Sequence, residues 1–203
     1  MARRLPWLGP AAVALGLLPA AKLGLDLARG GLGANPIAEG MNRLGFWTLT
    51  LLALSLVPTP AKDLLGVSWP LRVRRQLGLL AFTYAALHLS WYLVADQFFD
   101  WEAILADVTK RRFMAVGFAT FLLLVPLAVT STDGWVRRLG FRRWKALHRL
   151  VYLAAAGGVV HFVWRVKIDL RKPLLFAAAI GLLLAARLGP WLARRRARPP
   201  ARA

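Results

Sequence analysis

The sequence contains no cysteine. This absence excludes disulfides, thiolate catalysis, iron–sulfur clusters and zinc–thiolate sites, and it excludes covalent haem attachment through a C-x-x-C-H motif. Acidic residues are also scarce, since nine Asp and Glu accompany 28 Lys and Arg for a formal net charge of +19. The glycine pattern that follows a strand in dinucleotide-binding folds is missing as well, so no nucleotide-binding domain is expected.

Apolar residues make up most of what remains. Hydrophobic residues account for 58% of the 203 positions, above the roughly 45–50% that is usual in soluble domains. The basic residues lie in short clusters between apolar runs, which is typical of charge flanking membrane spans rather than of a nucleic-acid-binding face. We therefore predict an integral membrane protein that contacts the lipid bilayer and no nucleic acid.

Six apolar runs approach the length of about 20 residues that a helix needs to cross a bilayer. They predict an all-α fold, with residues 1–203 forming a single bundle of about six transmembrane helices. A cleaved signal peptide is the alternative for the first run, because Arg3 and Arg4 precede it. The predicted spans cover roughly residues 7–25, 44–58, 76–95, 113–131, 147–165 and 173–192.

The distribution of charge between these runs predicts the orientation of the bundle. Most Lys and Arg fall on the side of the N-terminus, which the positive-inside rule assigns to the cytoplasm, and most acids fall on the other side. Both termini are therefore expected in the cytoplasm. The segment Phe98–Lys110 is expected to be amphipathic and to lie at the outer membrane surface. The cytoplasmic set is Arg3, Arg4, Lys62, Arg72, Arg74, Arg75, Arg137, Arg138, Arg142, Arg143, Lys145, Arg194, Arg195, Arg196, Arg198 and Arg202.

The chain has three histidines, and all of them lie in predicted spans. His88 belongs to the third span, and His148 and His161 belong to the fifth. Ionisable residues inside a membrane span are candidates for function, and imidazole is a common axial ligand of haem iron. The alternative for a single histidine is a hydrogen bond to a neighbouring helix.

Depth in the membrane sorts the three histidines into two levels. Thirteen residues of helix place His148 about 20 Å from His161, towards the cytoplasm. The third and fifth spans run in the same direction, so His88 lies at the depth of His161, and these two residues can bind one iron between the third and fifth spans. Thirteen residues also turn a helix about 140°, so both histidines face one neighbour only if the helix is distorted. Gly157 and Gly158 are candidates for that distortion, or for close packing.

Arg74 occupies the level of His148 on the third span. It precedes His88 by fourteen residues, where a second histidine would complete a symmetric arrangement. Arginine is normally cationic and a poor iron ligand, but three interpretations stay open. Arg74 flanks the membrane as a cytoplasmic charge, ligates an iron directly, or pairs with a haem propionate through its guanidinium group.

Longer motifs resemble one family. They are Asn35–Pro36, RRQLGLLAFTYAALHLSWYLVAD at 74–96, LAVTS at 127–131 and RRLGFRRWKALHRLVYLAAAGGVVHFVW at 137–164. Together they make the chain similar, over nearly its whole length, to the MsrQ family, formerly YedZ. This is the family of haem-binding membrane subunits of bacterial periplasmic methionine sulfoxide reductase systems, within the ferric-reductase-like transmembrane group.

The resemblance implies a b-type haem carrier in the bacterial inner membrane. Electrons would come from the quinone pool or a cytoplasmic flavin reductase and pass to a periplasmic molybdopterin subunit of the MsrP type, paired with this chain as a heterodimer. That partner would reduce methionine sulfoxide in oxidised proteins. His88, His148 and His161 match the haem-ligand positions of the family, for one or two haems, and FMN is a further cofactor that family members are described as binding.

Two other function classes remain open from the residues. A stand-alone transmembrane ferric or quinone reductase would carry a cytoplasmic nucleotide-binding domain, for which the sequence offers no glycine motif. A proton-coupled transporter without haem would use the histidines as a proton relay. Absorption of visible light by the purified protein separates this transporter from a haem carrier.

Overall fold

A computed structural model describes residues 6–187 and Gly189, and within them the chain is helical and contains no strand. The basic residues Arg3, Arg4, Arg194, Arg195, Arg196, Arg198 and Arg202, which contribute to the predicted orientation, lie outside the described residues. The helices are α1 (Leu8–Ala28), α2 (Pro36–Leu56), α3 (Pro58–Leu65), α4 (Arg74–Trp91), α5 (Trp101–Lys110), α6 (Arg112–Val129), α7 (Asp133–Leu139), α8 (Phe141–Leu147), α9 (Leu150–Arg165) and α10 (Arg171–Ala185).

Five stretches are long and apolar enough to cross a membrane, which confirms the all-α membrane fold. These stretches are Leu8–Ala28, Pro36–Leu65, Arg74–Asp96, Arg112–Val129 and Phe141–Arg165. The second begins earlier than predicted, because Asn35 caps α2 by accepting a hydrogen bond from the Ala38 N–H and Pro36 takes the first helical position. The predicted sixth span corresponds to α10, and its last residues lie outside the described part of the chain.

Four long helices form the centre of the bundle. Helix α2 packs mainly against α4, and α6 packs mainly against α9. Weaker contacts join α4 to α6 and α2 to α9, so α4 and α9 face each other diagonally across the centre. Facing helices of such bundles are where cofactor sites are built. Helix α1 covers α4, and α10 covers α9 and α2.

Tyr84 connects α1 to this centre. Its hydroxyl accepts a hydrogen bond from the Ala20 N–H at 2.9 Å and donates one to the Gly16 carbonyl at 2.8 Å. It thereby fills a gap in the hydrogen-bond ladder of α1 next to Pro19, which has no N–H to donate. The tyrosine is almost fully buried at 1% exposure, so this proline-containing helix is fixed to α4 by a polar contact inside an apolar core.

The fifth predicted span is interrupted at His148 and Arg149. Helix α8 ends at Leu147, and α9 begins at Leu150. The distortion that the thirteen-residue histidine spacing requires therefore lies at His148 itself, and Gly157 and Gly158 sit inside the continuous helix α9. Their role is close packing, since a Cβ on Gly157 would lie 2.3 Å from the Thr120 hydroxyl oxygen.

Beyond α4 the chain forms a π-helical turn, Tyr92–Asp96, and then α5. The expected amphipathic segment is thus a helix from Trp101, capped by the Asp100 side chain, which accepts from the Ala103 N–H. Trp101 and Leu105 are exposed, as are the preceding Phe98 and Phe99, whereas Ile104 is half-buried. Tyr92 is buried and donates a hydrogen bond to Asp107 at 3.0 Å, which holds α5 against the end of α4.

Candidate functional site

His88 lies near the C-terminal end of α4 and is oriented by α2. Its Nδ1 lies 3.0 Å from the carbonyl oxygen of Met41. A carbonyl only accepts hydrogen bonds, so Nδ1 carries the proton, and in the neutral ring Nε2 keeps its lone pair. The ring also packs on Gly45, where a Cβ would lie 3.2 Å from the His88 Cε1. The backbone of α2 thus fixes both the tautomer and the position of the ring.

His161 is held in the same way by α6. Its Nδ1 lies 2.7 Å from the carbonyl oxygen of Phe113. Gly117, four residues further along α6, faces the ring so closely that a Cβ there would lie 2.5 Å from Nδ1. Each histidine therefore has a backbone cradle, defined here as a helix carbonyl that accepts from Nδ1 together with a glycine four residues later.

The two cradled imidazoles face each other across the centre of the bundle. Their ring centroids are 6.3 Å apart, and the ring planes are almost perpendicular at 88°. A metal–imidazole bond of about 2.0–2.1 Å would place two rings on opposite sides of one ion with centroids roughly 6.4 Å apart. Metal-bound histidines almost always donate their other N–H to a carbonyl or carboxylate, as these do. His88 and His161 are therefore the residues that would hold a haem iron at this site.

His148 has a different environment. Thr130 donates its hydroxyl proton to the Pro126 carbonyl at 2.6 Å, so its oxygen accepts from the His148 Nε2 at 3.0 Å. His148 also stacks on Trp144 at 4.0 Å between ring centroids. Trp144 in turn donates to the Thr130 carbonyl at 2.8 Å. This hydrogen-bonded group fixes His148 as the opposite tautomer from His88 and His161.

Arg74 lies at the start of α4, on the His148 level of the bundle. One guanidinium nitrogen donates to the Thr59 hydroxyl at 3.4 Å. Arg75 pairs with Asp133 at 2.6 Å, and this hydrogen bond lowers the pKa of that carboxyl. The structure thus brings His88 and His161 together and leaves His148 and Arg74 at the other end of the same helices.

Sequence reasoning missed the cradles. The sequence does not mark the cradle residues, which are Met41, Gly45, Phe113 and Gly117. Every residue has a carbonyl, and a glycine is informative only once the side chain that packs against it is known. The spacing of four residues between carbonyl and glycine is visible in the sequence, but it gains meaning only once α2 is known to face α4 and α6 to face α9. Within the described residues no three His, Asp or Glu side chains gather as ligands of one ion.

Comparison with known proteins places these features in a family. The family described as ferric reductase like transmembrane component matches residues 44–159, which include His88 and His148 and end two residues before His161. A relative from Rhodospirillum rubrum is 57% identical over 89% of this chain and 86% of its own length. One from Deinococcus radiodurans is 51% identical over 93% of this chain and 94% of its own length. One from Azospira oryzae is 44% identical over 98% of this chain and 88% of its own length. All three are named protein-methionine-sulfoxide reductase heme-binding subunit MsrQ.

Proposed function

Because the chain belongs to the MsrQ family of ferric-reductase-like transmembrane proteins, we propose that it is a membrane electron carrier binding haem b between His88 and His161. Its residues 1–203 are assigned to a single transmembrane domain. The observation that carries the proposal is the pair of facing imidazoles, 6.3 Å apart, each with Nδ1 bound to a helix carbonyl.

The protein contributes position and electrostatics to this function. The haem, when bound, supplies one-electron oxidation and reduction at its iron. The Met41 and Phe113 carbonyls hold the two rings as Nδ1–H tautomers, which aims both Nε2 lone pairs away from the backbone. Gly45 and Gly117 let the rings approach these carbonyls, and both rings are half-buried among apolar helices.

The other end of α4 and α8–α9 is proposed as the side where electrons arrive. His148 and Arg74 lie there, and His148, which is hydrogen-bonded to Thr130, would be the ligand of a second haem in a two-haem protein. Arg74 is assigned to an anionic group, a haem propionate or the donor itself, because a guanidinium binds carboxylates and phosphates through paired hydrogen bonds. FMN is proposed as such an anionic donor, because the family resemblance implies that it is bound.

The partners are proposed by analogy with the relatives. The relatives are named as subunits of a methionine sulfoxide reductase, so the electron acceptor is proposed to be a periplasmic molybdopterin subunit of the MsrP type in a heterodimer. The donor is proposed to be quinone or a cytoplasmic flavin reductase. The chain would lie in the bacterial inner membrane with both termini in the cytoplasm, which places Arg74 inside and the His88–His161 pair towards the outer face.

Haem content and absorption spectra of purified histidine variants test the proposal. We expect His88→Ala and His161→Ala to lose most of the haem, or to convert the remainder from a six-coordinate to a five-coordinate spectrum. His148→Ala tests the third candidate ligand, and it should lower the haem content of a two-haem protein without changing the spectrum of the His88–His161 haem. Gly78→Ala, whose Cβ would meet no neighbour within 4 Å, serves as the matched control and should keep haem and its spectrum. A colourless wild-type protein from haem-replete cells would refute the carrier function and support the proton-coupled transporter. Full haem content in both the His88 and the His161 variants would refute the ligand assignment.

A further inference from the structure

Arg165 lies one helical turn after His161 at the C-terminal end of α9. It is half-buried, and its guanidinium donates to the Asn42 side-chain oxygen at 2.5 Å. Asn42 adjoins Met41, whose carbonyl holds His88. The guanidinium thus lies beside the segment of α2 that holds His88 and one helical turn from His161. Its charge therefore belongs to the surroundings of the imidazole pair.

This cation has no acidic partner within the described residues. Ion pairs in this part of the chain include Lys22 with Asp26, Arg43 with Asp26 and Glu39, Arg75 with Asp133, and Arg111 with Asp107, and none of these involves Arg165. The half-buried Arg187 donates to the carbonyls of Leu56 and Leu183 and lies over the Tyr152 ring. Arg165 has the neutral amide of Asn42. A partly desolvated cation with donors to spare is a site for an anion.

We propose that Arg165 binds a propionate carboxylate of the haem between His88 and His161 and raises the reduction potential of its iron. This inference rests on the proposed function. A guanidinium has five N–H donors, so the bond to Asn42 leaves enough for a two-point contact with a carboxylate. An open surface pocket of about 230 Å³, lined by Arg112, Phe113 and Trp164, adjoins the His161 cradle next to Arg165 in the sequence.

Neutralisation of a propionate accounts for the effect on potential. A free carboxylate near the iron stabilises the ferric state, which carries more positive charge than the ferrous state. Paired with Arg165, that carboxylate contributes less negative potential at the metal.

A lipid phosphate at the membrane surface is the other anion that would fit this guanidinium, and the experiment separates the two sources.

The test compares Arg165→Met with wild type for two ligands. Protein purified from haem-deficient cells is reconstituted in detergent with haem b or with its dimethyl ester, which has no carboxylate. We expect Arg165→Met to weaken binding of haem b by about tenfold, as for loss of a charge-assisted hydrogen bond, and to change ester binding by less than twofold. The potential of the haem b complex should fall by about 59 mV, equivalent to a tenfold change in the one-electron equilibrium.

Controls separate charge, fold and function. Lys167→Met removes an exposed positive charge two residues away and should leave affinity and potential unchanged. Arg165→Lys should recover part of both. Equal weakening for the two ligands, or an unchanged potential, would overturn the propionate contact and leave Arg165 as a packing or lipid-facing residue. Failure of wild type to bind either ligand would refute the proposed function as well, and the His88→Ala variant identifies that case independently.

Discussion

Gly45 and Gly117 each stand four residues after the carbonyl that holds a histidine Nδ1. In an α-helix, positions i and i+4 lie above one another, so a side chain at i+4 would cover the carbonyl of residue i. A glycine leaves that oxygen open to a second donor beside the helix's own N–H, and a carbonyl has two lone pairs to accept both. The absence of a side chain is thus the property that lets an imidazole from the neighbouring helix reach the backbone.

Substituting these glycines tests the cradles. We expect Gly117→Ala to lower haem affinity about 10–100-fold, the range for loss of groups that orient metal ligands, because the new Cβ would lie 2.5 Å from the His161 Nδ1. Gly45→Ala should have a smaller effect, since its Cβ would lie 3.2 Å from the His88 ring. Haem titration monitored at the Soret band measures both affinities.

Gly78→Ala is the control for the glycine variants. It lies in the same helix as His88, and a Cβ there has no neighbour within 4 Å. Alanine should be neutral or slightly stabilising at this position, because glycine is the poorer helix former. Equal haem affinities for the Gly117 and Gly78 variants would contradict the cradle.

At the scale of elements, helix periodicity predicted the spans and the depth of each histidine, whereas the break at His148 and Arg149 was not located. The repeat of apolar residues and the length of each apolar run predict which segments cross the membrane. They do not report where a polar contact ends a helix, and here the hydrogen bonds among Thr130, Trp144 and His148 join residues up to 18 positions apart. Such contacts depend on how α6 and α9 pack, which no single stretch of sequence encodes.

Helix α5 offers a test at this scale. Tyr92 is buried, and its hydroxyl donates to Asp107, which also pairs with Arg111 at 3.1 Å. Tyr92→Phe removes the contact between α5 and the π-helical turn at a cost of about 1 kcal/mol, the usual net value of a hydrogen bond. We expect faster tryptic cleavage after Lys110 and Arg111 and an unchanged haem spectrum.

The control for α5 is Thr109→Ala. The Thr109 hydroxyl bonds only to carbonyls of its own helix and is exposed, so its removal should leave the cleavage rate near that of wild type. Loss of haem from the Tyr92 variant would contradict a role limited to holding α5.

For the molecule as a whole, the diagonal placement of α4 and α9 is what converts two distant sequence motifs into one site. The common direction of the third and fifth spans sufficed to predict that His88 and His161 lie at one depth. It did not predict that α2 and α6, placed between those helices, hold the rings. The meeting of His88 and His161 was therefore foreseeable from their depth, whereas the carbonyls of Met41 and Phe113 that contact the rings depended on the tertiary arrangement.

The orientation of this bundle across the membrane can be tested on a clean background, because the chain has no cysteine of its own. Single cysteines are introduced at exposed positions, Glu102→Cys and Lys167→Cys on the predicted outer side, and Lys62→Cys and Arg142→Cys on the predicted cytoplasmic side. An impermeant maleimide applied to spheroplasts, whose outer membrane is open, should label the first pair, and should label the second only after the inner membrane is permeabilised. The positive-inside rule predicts this labelling pattern, because it expects the basic clusters around α3 and α7–α8 to stay in the cytoplasm. Labelling of Lys62→Cys but not of Glu102→Cys in intact spheroplasts would show that the topology is the reverse of the predicted one. The proposed direction of electron flow, from Arg74 towards His88 and His161, would then be wrong as well.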